Sequence, residues 1–129
     1  MLALAVMMVM SSLTVAKASD VYKGFRLSTE SYYGDDYDIS GFQAKDTTSS
    51  IKVYVTSANL PLQYSAVGSM QESGRNYADC SNGQVYKIVD ATTFEMYNLV
   101  KEYGYRYAAI RVDSLTDAYT CHEGEFMAN

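Results

Sequence analysis

From Val21 onward the chain alternates apolar and polar residues far more than it groups them every third or fourth position. Val21, Lys23, Phe25 and Leu27 alternate with Tyr22, Gly24 and Arg26, a period of two that predicts a first strand. Ile51, Val53 and Val55 against Lys52, Tyr54 and Thr56 give the clearest strand, bounded by Asn59 and Pro61. Leu62, Tyr64 and Ala66 predict its neighbour, with Pro61 at the entrance, where a missing N–H does no harm. Gly68–Gly83 reads as a long loop or a short irregular strand around Tyr77 and Cys80. Further strands are expected at Gln84–Val89, at Tyr105–Val112 and around Ala118–His122. Lys45–Ser50, charged and rich in Ser and Thr, reads as a connection.

Ala91–Tyr103 is ambiguous. Thr92-x-x-Glu95 fits a capping box and Met96, Leu99, Val100 and Tyr103 fall at helical spacing, yet Phe94, Met96 and Asn98 also fit a period of two. The expectation is therefore confined to a short helical turn near residues 98–103, ended by Gly104. Roughly six or seven short strands with turn signals between them predict an all-β fold, a small antiparallel β-sandwich.

Met1–Ala18 does not share the alternation. An unbroken apolar run to Met10 is too short for a bilayer, which needs about 20 apolar residues, and it leads to Ala16-Lys17-Ala18, the small-residue pattern of a signal-peptidase site. Residues 1–18 are thus expected to be a signal peptide and 19–129 a single secreted β domain. No Lys or Arg precedes the apolar run as it normally would, and a start codon further upstream would supply it.

Without that segment the domain holds 9 Lys and Arg against 15 Asp and Glu, a net charge of −6. No basic run exists, which argues against nucleic acid and against an anionic membrane surface as partners, and stable membrane insertion is not expected once the signal is removed. All 13 tyrosines lie after the signal, and Trp is absent. The tyrosines suit strands whose rings are buried and hydroxyls wet, and they also suit a recognition surface. Cys80 and Cys121, an even pair in an exported domain, are expected to form a disulfide closing a 42-residue loop. Such a bond contributes about 4 kcal/mol on chain-entropy grounds.

Candidate chemistry is sparse. Asp36-Tyr37-Asp38-Ile39-Ser40-Gly41 reproduces the opening of a calcium loop, making Asp36, Asp38 and Ser40 candidate ligands. Position twelve is Thr47 instead of the bidentate Glu, so calcium is the only cofactor the sequence raises, and it raises it incompletely. His122, the sole histidine, sits beside Cys121 without a nucleophile elbow or a metal-ligand set, and is expected to be structural or merely exposed. No phosphate-cradling glycine motif is present. No pair among the acids is marked for glycoside hydrolysis, and a non-enzymatic protein is expected.

The leader, the Tyr-rich domain, the late Val100-Lys101-Glu102-Tyr103-Gly104-Tyr105 segment and the Ala118-Tyr119-Thr120 tail together resemble small uncharacterised secreted β-sandwich proteins of Gram-positive bacteria. The resemblance spans about the last 40 residues and implies export and a sandwich, without a catalytic motif. Leu99–Tyr107 also loosely resembles the tyrosine corner of immunoglobulin-like domains, though the cysteines do not match theirs. The expected function is a binding module for an extracellular or cell-surface component such as carbohydrate, with Tyr32, Tyr33, Tyr37, Tyr105 and Tyr107 as candidate stacking residues. The alternative is a small bacteriocin-like antibacterial toxin, since small β-sandwich bacteriocins share the architecture.

Overall fold

Residues 21–129 are described in a computed structural model, and the leader with its cleavage site lies outside the described residues. Ten strands follow one another: β1 Lys23–Thr29, β2 Tyr37–Ile39, β3 Gln43–Ala44, β4 Ile51–Ala58, β5 Leu62–Ser69, β6 Ala78–Asp79, β7 Tyr86–Ile88, β8 Thr92–Met96, β9 Tyr107–Ser114 and β10 Thr120–Met127. They form two antiparallel sheets. The four-stranded sheet runs β1-β10-β4-β8, and the six-stranded sheet runs β2-β9-β5-β6, with β3 beside β9 and β7 beside β5. The expected all-β sandwich is therefore the fold. Strands beyond the expected six or seven are mostly two- or three-residue pieces.

Alternation builds the core. Phe25 and Leu27 on β1, Ile51, Val53 and Val55 on β4, and Phe126 on β10 face Leu62, Tyr64 and Ala66 on β5 and Ala108, Ile110 and Val112 on β9. Each large apolar side chain buried here contributes about 1.5–3 kcal/mol. The outward residues of β5 and β9 would leave Val67 and Ala109 wet, and Phe42 folds over them to make a second, smaller cluster. Its ring lies on Gly74, where a positive φ of 75° and the absence of a Cβ are both needed.

β8 takes up the ambiguous segment because Phe94 and Met96 fill the inner face of the four-stranded sheet. What remains helical is a single turn, closed by the Tyr103 N–H donating to the Leu99 carbonyl and ended by Gly104 at φ 83°.

The expected disulfide is not formed. Cys121 lies between inward-facing Thr120 and His122, so its thiol points out of the four-stranded sheet, 3.4 Å from Arg26 Nε. Cys80 is fully buried in the main core, its Sγ against Gly68. The Cys80 N–H donates to the Ala66 carbonyl of β5, so Cys80 belongs to the six-stranded sheet and its thiol to the core, whereas the Cys121 thiol lies on the far, outer face of the four-stranded sheet, and the two are not bonded.

Two basic side chains are buried among the described residues. His122, fully buried, directs Nε2 at the Leu60 carbonyl (2.6 Å) and Nδ1 at the Tyr64 hydroxyl (2.8 Å). A carbonyl only accepts, so Nε2 carries the proton, and Nδ1 accepts from Tyr64 O–H. Burial lowers the histidine pKa and raises that of Tyr64, which keeps both groups neutral. Lys45, expected in a solvated connection, is instead 1% exposed, and its amine donates to the Ser49 and Ala128 carbonyls at 2.6 Å each. It ties the chain's last strand to the β3–β4 connection, and burial pushes its pKa down to about 8.

Candidate functional site at one end of the sandwich

Three connections meet at the end of the sandwich where β1 stops and β10 begins. After β1 the chain makes a bridge between Glu30 and Asp35 around a 3₁₀ turn, Ser31–Tyr33, closed by Gly34 at φ 83°. A left-handed residue there suits glycine, and the tight turn leaves both tyrosine side chains outside. Tyr32 and Tyr33 are 76% and 75% exposed. Their rings meet edge to face, with centroids 5.0 Å apart and planes 87° from parallel.

The 114–119 connection packs alongside. The Tyr32 N–H donates to the Asp117 carbonyl (3.2 Å), the Ser114 N–H to the Asp36 carbonyl (2.8 Å), and Ser31 Oγ to Asp36 Oδ1 (2.6 Å). Asn59, from the β4–β5 connection, holds the other side, donating to the Tyr119 carbonyl and accepting the Cys121 N–H. These bonds fix an open groove of about 430 Å³ lined by Ser31, Ser114, Leu115, Thr116 and Asp117.

Next to the groove the outer face of the six-stranded sheet begins. Tyr37 pairs with Asp113 across β2 and β9, and the Arg111 guanidinium lies over the Tyr37 ring, 4.3 Å from its centroid. Asp113 grips the same guanidinium through both oxygens, at 2.9–3.2 Å. Burial, and after it a hydrogen bond to Tyr37, raise the pKa of the neighbouring Tyr77 hydroxyl.

Of the five tyrosines singled out by sequence, three share this end: Tyr32, Tyr33 and Tyr37. Tyr105 and Tyr107 do not. Tyr107 begins β9 while Tyr37 pairs six residues later, about 20 Å away at strand rise. Tyr105 packs on the main core against Gly68, and Tyr107 packs on the Phe42 cluster. The sequence does not point to the groove residues or to Arg111, which carry no motif: the groove is assembled by the bonds between the 31–36 turn and the 114–119 connection, and Arg111 is set over Tyr37 by the pairing of β2 with β9.

The calcium-loop residues lie in the same region with protein partners of their own. Asp38, within β2, accepts the Ser28 N–H of β1 (3.0 Å) and its neighbour's N–H (2.9 Å), pinning the edges of the two sheets together. Asp36 accepts Ser31 Oγ, and Ser40 Oγ donates to the Gly41 carbonyl while accepting the Ile110 N–H. Among the described residues no group of three or more His, Cys, Asp or Glu side chains is placed to hold a metal ion. No helix among them is long and apolar enough to cross a membrane. No family model, no curated protein and no solved structure matches this chain.

Proposed function

We propose that this is a secreted, non-enzymatic binding module that recognises carbohydrate on a cell surface or in the extracellular space through the Tyr32–Tyr33 end of the sandwich. The observation that carries the reading is the ring pair itself. Two tyrosines about three-quarters exposed, on a turn fixed by backbone hydrogen bonds, sit against a groove lined largely by hydroxyls. A pyranose offers an apolar C–H face and a rim of hydroxyls, and this arrangement matches both. Because the turn is already ordered, binding need not order it, which lowers the entropic cost.

Export rests on the leader. The non-enzymatic reading is supported by the one histidine, whose two ring nitrogens are both engaged inside the core, and by the Asp113 carboxylate, which is occupied by Arg111. The test is a pull-down on purified cell walls and extracellular polysaccharides. Retention by some glycan fraction, lost in the Tyr32→Ala/Tyr33→Ala/Tyr37→Ala variant, is expected. Retention that survives all three changes would refute the site, and growth inhibition of Gram-positive strains at low protein concentration without glycan retention would put the toxin reading ahead.

A further inference from the structure

We infer that the ligand is one soluble, uncharged glycan strand, entered by a single sugar in the angle between Tyr32 and Tyr33, and not the flat face of a crystalline polysaccharide. The inference rests on the carbohydrate reading above and narrows it.

Ring orientation decides between the two. A crystalline polysaccharide presents sugars in a plane, and it is gripped by aromatic rings lying in one common plane. Tyr32 and Tyr33 are 87° from parallel, so only one of them can lie flat on such a surface while the other stands on edge. Tyr37, the remaining candidate at this end, has a ring face covered by Arg111 at 4.3 Å. One flat ring is a weak hold on a lattice. A single pyranose is suited to the same pair, stacking its C–H face on one ring and presenting its edge to the other, 5.0 Å away. The next sugar then lies over the groove, where the Ser31 and Ser114 hydroxyls, their own protons given to Asp36 and to the Thr116 carbonyl, can accept from sugar hydroxyls, and the Thr116 hydroxyl stands beside them.

Charge excludes the anionic glycans. Residues 28–38 and 111–119 carry Glu30, Asp35, Asp36, Asp38, Asp113 and Asp117 against Arg111 alone, a net of −5 out of the −6 carried by residues 19–129. The acidity of the protein is thus concentrated where the rings are. Within a Debye length of about 8 Å at physiological salt, a uronate or phosphate polymer meets unscreened repulsion there. A neutral sugar does not.

The experiment titrates the purified protein with soluble cello- and chito-oligosaccharides, read by tyrosine fluorescence, in parallel with depletion on microcrystalline cellulose and chitin and binding to polygalacturonate. Expected are saturable binding to a soluble oligomer, a loss of affinity of about tenfold in Tyr33→Ala, retention of binding in Tyr33→Phe, and no depletion on the crystalline polymers. Depletion on a crystalline polymer or binding to polygalacturonate that Tyr33→Ala removes, with no binding of soluble oligomer, would overturn this inference and leave the carbohydrate reading standing. Absence of binding to every glycan would overturn both.

Discussion

Replacing Tyr64 by Phe removes one oxygen from the middle of the sandwich and leaves its packing volume nearly unchanged. In the parent, His122 Nδ1 accepts the Tyr64 hydroxyl at 2.8 Å while its protonated Nε2 is committed to the Leu60 carbonyl. Both side chains are 0% exposed, so in Tyr64→Phe the bare Nδ1 has no donor and no bulk water. A buried acceptor left this way costs about 1–3 kcal/mol, a large part of the roughly 5–15 kcal/mol that holds a domain folded. For a domain of this size the melting temperature should fall by about 4–12 °C at neutral pH. The same pair sets an acid limit. Burial holds the His122 pKa below its ordinary 6.5, so below that pH the unfolded chain takes up a proton that the folded chain refuses. Stability is then full above pH 6.5 and falls as pH drops through the folded-state value, by up to about 1.4 kcal/mol per pH unit. Urea unfolding at several pH values measures both effects, with His122→Gln as the control that removes the histidine's share of the slope. A Tyr64→Phe protein melting within about 1 °C of the parent, or an acid slope unchanged in His122→Gln, would show that the buried pair does not carry this energy.

Other consequences follow from the buried polar groups and the thiols. Lys45, with its pKa lowered to about 8 against 10.5 when unfolded, binds fewer protons folded than unfolded between those values. Stability should therefore rise from pH 8 to 10 relative to Lys45→Met, measured by urea unfolding, and parallel curves would contradict the burial of the amine. Thr29 Oγ1 is buried without a hydrogen-bond partner, so Thr29→Val should stabilise by about 1 kcal/mol; destabilisation on chemical denaturation would show that the hydroxyl is bonded after all. With both cysteines reduced, one thiol, Cys121, should react with a disulfide reagent in the native state, whereas Cys80, buried with its pKa pushed up to about 11, should react only after unfolding. Finding no reactive thiol in unfolded protein would restore the disulfide.

Strands with one face against the core were legible because alternation is a direct consequence of burial. Ile51, Val53 and Val55 could be read inward from sequence and are inward. β2 and β3 were not legible as strands, and β6 only as the irregular-strand alternative around Tyr77 and Cys80: two or three residues carry no period, and their pairing is imposed by β9 and β5. Thr92–Glu95 misled in the opposite sense, since a capping pattern is a local preference that the inward burial of Phe94 and Met96 overrides. The cysteine count spoke to redox compartment and said nothing of facing. Parity along β10, with Thr120 and His122 inward, is what turns Cys121 outward. Lys45 looked like any charge in a polar connection, because nothing local announces that the Ser49 and Ala128 carbonyls will close around it. At the site, exposure of Tyr32, Tyr33 and Tyr37 followed from their polar, turn-rich surroundings. Their separation from Tyr105 and Tyr107 needed the length of β9.

Chemical-shift mapping by NMR decides where on the sandwich a glycan sits. On titration with a soluble neutral oligosaccharide, saturable shifts confined to residues 31–37 and 111–119 are expected. Shifts centred instead on the opposite sheet, around the Tyr22–Tyr54 ring pair, or no shifts with any glycan, would contradict the proposed site.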